Sequence, residues 1–305
     1  MKITIIGAGS MGCLYAYLLS GRHDVTLIDS YDKTVSMIAE NGITVKEKDS
    51  SERTIKINIF KSGQYTEKND LVILFVKDTS SDAALSENIA LAENCKYFLT
   101  LQNGLGNDEL IGKYIDRRKI LVGTTKHNCV TLSPGHIYHS GAGPTVIGSV
   151  VGDADAAKEV VSAFSSAGIE AEYSENVMEL IWKKLFVNMT INPITALLGT
   201  NIGFIAENEY AKALSESLLE EAVRVAECEG LNFDIEQVKA DVFKVASYDG
   251  TGKASMCQDI EHGRKTEIDF INGAVGRLGK KYGCPTPYHD AITQLIHAKE
   301  ESTKN

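Results

Sequence analysis

Residues 3–6 form a short apolar run that opens directly onto Gly7-Ala8-Gly9-Ser10-Met11-Gly12. The pattern then predicts a helix over 13–19, a second buried strand over 25–28, and an acid, Asp29, at the end of that strand. A helix follows over 34–40, and 43–45 with 55–59 read as a more exposed, alternating pair. Residues 71–76 are continuously apolar, as in a parallel strand covered on both faces, and 97–101 and 120–122 look similar. Helices are predicted over 81–93 and 107–115. From about 127 to 148 short strands are punctuated by Pro134-Gly135 and Gly141-Ala142-Gly143-Pro144, which suggests antiparallel additions to the sheet. A helix at 153–167 and a strand at 169–173 complete this half.

Beyond about 174 the strand signal fades. Helical periodicity occupies 175–198, 209–229, 233–247, 254–262, 266–282 and 286–301, with Gly230, Gly250-Thr251-Gly252 and Gly283 between segments. The expected architecture is α/β: an N-terminal Rossmann-type doubly wound sheet over 1–173, then an all-helical C-terminal domain over 174–305. Ligands of such sheets bind beyond the carboxyl ends of the strands, so the interdomain cleft is expected to hold the site.

The opening unit has the parts needed to bind a dinucleotide. Gly7 permits a tight turn, Gly9 lets backbone approach a pyrophosphate, and Gly12 lets helix pack on strand. The helix N-terminus offers unpaired N–H groups to the phosphates. An acid about 20 residues on accepts hydrogen bonds from the adenosine ribose. A glycine-rich turn alone is common; strand, glycines, helix, strand and acid in that order are not.

Charge and composition narrow the partners. At 305 residues the chain can bury a substantial core, and a formal net charge of −10 argues against nucleic acid or an anionic membrane surface. The six cysteines are scattered without a CxxC pair, which favours intracellular free thiols over a disulfide framework or zinc site. Met1-Lys2 leads straight into a strand, unlike a signal peptide, and no apolar run approaches the ~20 residues that span a bilayer. A cytoplasmic protein is expected, with a small-molecule substrate, no metal, and room for a homodimer.

Candidate chemistry gathers on the helix near 180–198. Lys184, Asn188 and Asn192 recur every four residues and share one face, among Leu185, Phe186, Val187, Met189 and Ile191. A cation and two carboxamides in such surroundings need partners, which a polar ligand would supply; a solvated face is the plainer alternative. Lys183 falls on another face and reads as a surface charge. In Ser255-Met256-Cys257-Gln258-Asp259 and Thr266-Glu267-Ile268-Asp269, Ser255 and Thr266 read most simply as helix caps. Asn103-Gly104-Leu105-Gly106 and Lys77 both end apolar strands, where either the cleft or an ordinary surface is compatible. His127 follows a strand and can reach the cleft, whereas His136 and His139 read as structural.

Together these stretches resemble the ketopantoate reductase family, over essentially the whole chain. The resemblance rests on Gly7 to Gly12, Asn103-Gly104-Leu105-Gly106, and Gly123-Thr124-Thr125 with His127. It continues through Trp182-Lys183-Lys184, Asn188, Asn192-Pro193-Ile194-Thr195-Ala196, Ser255 to Asp259, Thr266 to Asp269 and Ile271-Asn272. It implies reduction of a 2-oxo acid by NAD(P)H, with Lys184 as proton donor and Glu267 as catalytic carboxylate. Asn103, Asn188, Asn192 and Ser255 would hold the substrate. Gly7, Ala8, Gly9, Ser10, Met11, Gly12, Asp29, Lys77 and Asn103 would contact the cofactor.

Many family members place a basic residue where this chain has Asp29. A carboxylate there repels a 2′-phosphate, so NADH is expected to be favoured, with Lys33 the nearby opposing charge. This also brings in relatives resembling D-mandelate dehydrogenase, which act on other branched 2-oxo acids. A non-catalytic dinucleotide sensor is the competing reading of another class, and Lys184 with Glu267 argues against it.

Overall fold

The computed structural model describes residues 1–248 and 250–303, and in it the opening apolar run becomes β1 (Lys2–Ile6), its last four residues buried. Two units form separately: Met1–Gln102 with Asn107–Met178, and Asn103–Gly106 with Glu179–Asn305.

In the first unit β1 is followed by α1 (Ser10–Ser20), β2 (Asp24–Asp29), α2 (Asp32–Asn41), β3 (Ile43–Glu47), β4 (Glu52–Ile55), β5 (Asn58–Lys61) and β6 (Asn69–Leu74). Next come α3 (Ser81–Glu87), α4 (Ile89–Glu93), β7 (Cys95–Thr100), α5 (Asn107–Ile111) and β8 (Ile120–Thr125). β9 (Asn128–Ser133), β10 (His136–Gly141), β11 (Thr145–Ser149), α6 (Ala154–Ser166) and β12 (Ala171–Tyr173) complete it.

The main sheet has eight strands in the order β12-β11-β8-β7-β6-β1-β2-β5. Strands β5 to β8 of that order run parallel, while β11 joins β8 antiparallel. The chain leaves β1 first for β2 and later returns to β6 on the other side, so the strand order reverses at β1. Gly7 stands at this switch point, where open sheets receive ligands. Its φ is +104°, and a Cβ there would lie 2.7 Å from the Val76 nitrogen. A Cβ on Gly12 would fall on the Gly7 carbonyl, so neither position admits a larger residue.

Several expectations need correction. Residues 43–59 do not form one exposed pair: β3 pairs with β4, but Ile59 lies in β5, which extends the main sheet beside β2. Nor are residues 127–148 all additions to that sheet. β9 and β10 leave it and build a second sheet of order β4-β3-β10-β9, and only β11 adds to the first. The cause is apolar alternation: Ile43 and Val45 of β3 and Ile137 of β10 are buried in the same core as Leu14, Tyr15 and Leu19 of α1. The predicted helix at 81–93 is broken at Asn88, whose side chain accepts from the Gly63 N–H at 3.0 Å and donates to the Ala84 carbonyl at 2.8 Å. The helix at 107–115 shortens to α5.

The second unit is helical: α7 (Val177–Leu198) enters it, followed by α8 (Phe204–Glu207), α9 (Glu209–Cys228), α10 (Ile235–Tyr248), α11 (Ser255–Glu261), α12 (Asn272–Tyr282) and α13 (Pro287–Ser302). Here 266–282 is not one helix, for α12 begins only at Asn272. The Thr266 N–H donates to Glu300 Oε1 at 2.7 Å and Ile268 N–H to Thr266 Oγ1 at 3.3 Å, which diverts the backbone into a turn. All six cysteines are free thiols. Among the described residues no helix is long and apolar enough to cross a membrane.

Candidate functional site

In the first unit, Gly9 is the N-cap of α1, which has no side-chain cap and no acid in its first turn. Its first N–H groups therefore present an open positive pole. A Cβ on Gly9 would meet open space, so backbone is accessible to a phosphate there. Asp29, at the end of β2, accepts from the Ala8 N–H through Oδ2 at 2.8 Å and from the Tyr31 N–H through Oδ1 at 2.9 Å. The carboxylate thus braces the glycine turn and keeps lone pairs for a vicinal diol. Opposite Asp29 in the strand register lies Lys61, whose ammonium is 2.6 Å from Asp32. A dinucleotide fits this turn, and the pair with Asp32 engages the ammonium of Lys61. Lys33 is exposed on α2, and Lys77 is half-buried, immediately before a short 3-10 turn at Asp78–Ser80.

The polar stripe lies in the second unit. Lys184 and Asn188 are half-buried on α7, and Asn192 is 7 % exposed, so the stripe is not a solvated face. Trp182, Leu185, Phe186 and Met189 pack the rest of the helix into the core. Burial lowers the Lys184 pKa to about 8, and the charge of Glu267 opposes that fall. Glu267 Oε2 accepts from Asn103 Nδ2 at 3.2 Å. Lys184, Glu267 and Asn103 therefore form one electrostatic group.

Local backbone holds that group. The Leu105 N–H donates to the Phe270 carbonyl at 2.9 Å, and a Cβ on Gly104 would collide with the same carbonyl. This fixes the Asn103 loop against the turn that carries Glu267. From α13, Glu300 holds Thr266, while His297 lies 3.0 Å from Asp269 and 3.2 Å from Glu300.

The helix-cap reading of Ser255 and Thr266 is overturned. Ala254 is the N-cap of α11 and Ser255 its exposed first residue, while Thr266 opens a turn. Lys183 is exposed and pairs with Glu179 at 2.6 Å, as expected of a surface charge. His127 does not stand free: its Nδ1 is 3.0 Å from His139 Nε2, and His139 Nδ1 is 2.9 Å from Glu47. The sequence reading assigned no role to two further residues. Lys61 sits 32 positions from Asp29 and reaches it only through strand register, and Asn272 donates to the Met189 carbonyl at 2.9 Å. For the second, Pro193 inside α7 is the physical signal, because it removes that carbonyl's helical donor.

Two family models match the chain: ketopantoate reductase PanE/ApbA over residues 3–152, and its C-terminal domain over 176–300. The chain is 36 % identical to the 2-dehydropantoate 2-reductase of Lactococcus lactis, covering 100 % of this chain and 99 % of that protein. It is 35 % identical to the same enzyme of Streptococcus pyogenes, over 98 % of each. Among solved structures, D-mandelate dehydrogenase in a ternary complex with NADH and anilino(oxo)acetate matches with a TM-score of 0.94 and 32 % identity, covering 100 % of both chains. With a dinucleotide turn in one unit and a lysine–glutamate group in the other, this chain belongs to the ketopantoate reductase family of NAD(P)-dependent oxidoreductases.

Proposed function

We propose that this protein reduces ketopantoate to (R)-pantoate and prefers NADH. The observation that carries the reading is Lys184, an ammonium with its pKa lowered to about 8 by burial beside the Glu267 carboxylate. Such a group is charged at neutral pH yet releases its proton readily. The dinucleotide, held by Gly7 to Gly12 and Asp29, supplies the hydride when bound. Lys184 donates a hydrogen bond to the ketone oxygen as negative charge develops there, then transfers a proton to it. Asn103, Asn188, Asn192 and Ser255 orient the substrate carboxylate with neutral donors, and Glu267 accepts from the substrate hydroxyl. NADH is favoured because Asp29 faces the ribose and Lys61 is committed to Asp32.

A second reading, a D-2-hydroxyacid dehydrogenase for bulky branched substrates, is favoured by the match to the D-mandelate dehydrogenase complex. Steady-state kcat/KM for ketopantoate, benzoylformate and 2-oxo-3-methylbutanoate, each with NADH and NADPH, tests both. The highest value for ketopantoate with NADH is expected. A higher value for either other acid overturns the substrate, and no turnover of any acid overturns the reaction.

A further inference from the structure

Pro193 lies inside α7, one residue after Asn192. Its ring nitrogen carries no hydrogen, so the carbonyl of Met189, four residues earlier, loses its helical donor. That carbonyl belongs to the turn between Asn188 and Asn192, and Met189 is fully buried. A buried carbonyl without a donor is costly. The donor comes from 83 positions away: Asn272 Nδ2, with Asn272 itself 0 % exposed, lies 2.9 Å from the Met189 oxygen.

The orientation of this amide is set on both sides. Asn272 Nδ2 is also 3.3 Å from His289 Nδ1, and His289 Nε2 is 2.9 Å from the Leu218 carbonyl. A carbonyl only accepts, so His289 Nε2 must carry hydrogen and Nδ1 is left as an acceptor. Burial holds the His289 pKa down at about 4, which keeps that neutral tautomer at working pH. Both hydrogens of the Asn272 amide therefore have an acceptor, one in α7 and one in α13. Asn272 is also the first residue of α12, directly after the turn that carries Glu267.

We propose that Asn272 is a positioning residue that closes the gap Pro193 leaves in α7 and so sets Asn188 and Asn192 against Lys184 and Glu267. The inference rests on the catalytic reading of those four residues. Thr190 and Thr195 reinforce the same region, their hydroxyls donating to the Phe186 carbonyl at 2.9 Å and the Ile191 carbonyl at 2.7 Å. Neither reaches the Met189 carbonyl, which falls to Asn272.

The test is a double-mutant cycle of Asn272→Ala and Pro193→Ala in the full chain. Asn272→Ala should lower kcat by about tenfold or more, in the range for small misplacements of reacting groups, and raise KM for the 2-oxo acid while leaving KM for NADH unchanged. Amide hydrogen exchange in the peptide over 186–196 should quicken. Pro193→Ala returns an N–H to the Met189 carbonyl, so adding it to Asn272→Ala should recover most of the kcat and the slow exchange. Soluble double variant alongside insoluble Asn272→Ala supports the proposal equally. Wild-type kinetics and exchange in Asn272→Ala overturn it, as do losses that Pro193→Ala leaves undiminished, or failure of both variants to fold. The exchange measurement needs no substrate. If the wild type reduces no 2-oxo acid, the proposed reaction fails while the exchange cycle still decides the role of Asn272.

Discussion

The Ala8 amide donates to Asp29 across 21 positions at 2.8 Å, so the carboxylate proposed to meet the ribose also braces the glycine turn. Wild type is expected to give a higher kcat/KM with NADH than with NADPH. Asp29→Arg should move the ratio towards NADPH but lower both values, because the Ala8 and Tyr31 amides lose their acceptor. Asp29→Asn, which keeps one acceptor oxygen, should cost NADH about tenfold, the size of one charge-assisted hydrogen bond. Titration of both cofactors against the three proteins checks this; an unchanged ratio in Asp29→Arg refutes the assignment.

Lys184→Ala should lower kcat by roughly 100-fold or more, as for loss of a positioned acid. Lys183→Ala removes only an exposed pair with Glu179 and should be nearly silent. Parallel steady-state assays distinguish them, and equal losses would place the acid elsewhere.

Activity should also depend on the protonation of Lys184. Its pKa is lowered, so the ammonium is lost as pH rises through about 8, and reductive kcat should fall over that interval. Glu267 raises this pKa against desolvation, so Glu267→Gln should shift the fall to lower pH. A pH–kcat profile of both proteins measures the displacement; a shift in the opposite direction would remove Glu267 from the lysine's surroundings.

Ketopantoate should be preferred over 2-oxo-3,3-dimethylbutanoate, which lacks only the hydroxyl. A carboxylate placed to accept from that group is left unpaired by the analogue. Asn103 already donates to Glu267, so the deficit is expected to grow in Asn103→Ala, where Glu267 has lost that donor too. Equal kcat/KM for the two acids would favour the broader dehydrogenase.

Much of this was legible in the chain itself. Gly7, Gly12 and Asp29 report local steric and charge requirements, and spacing by four residues places Lys184, Asn188 and Asn192 on one face whatever surrounds them. Alternation could mark β3, β9 and β10 as strands but not choose their sheet, because period two says which side is apolar and not which strand lies alongside. The turn at Glu267 was hidden for a related reason: Thr266 to Asp269 has helical character, and the bond that diverts it comes from Glu300. Asn272 was named in the sequence but its contact was hidden, since the need it meets is written at Pro193 and the answer lies in another helix.

The bond from Thr266 to Glu300 also bears on handling the protein. Glu300 belongs to the last turns of α13, a region usually treated as a convenient place for a purification tag or a tolerated site of trimming. Here its carboxylate is 9 % exposed and clasps the backbone one residue before Glu267. Proteolytic clipping ahead of residue 300 would therefore leave the Thr266 N–H without its acceptor and loosen the turn that carries Glu267.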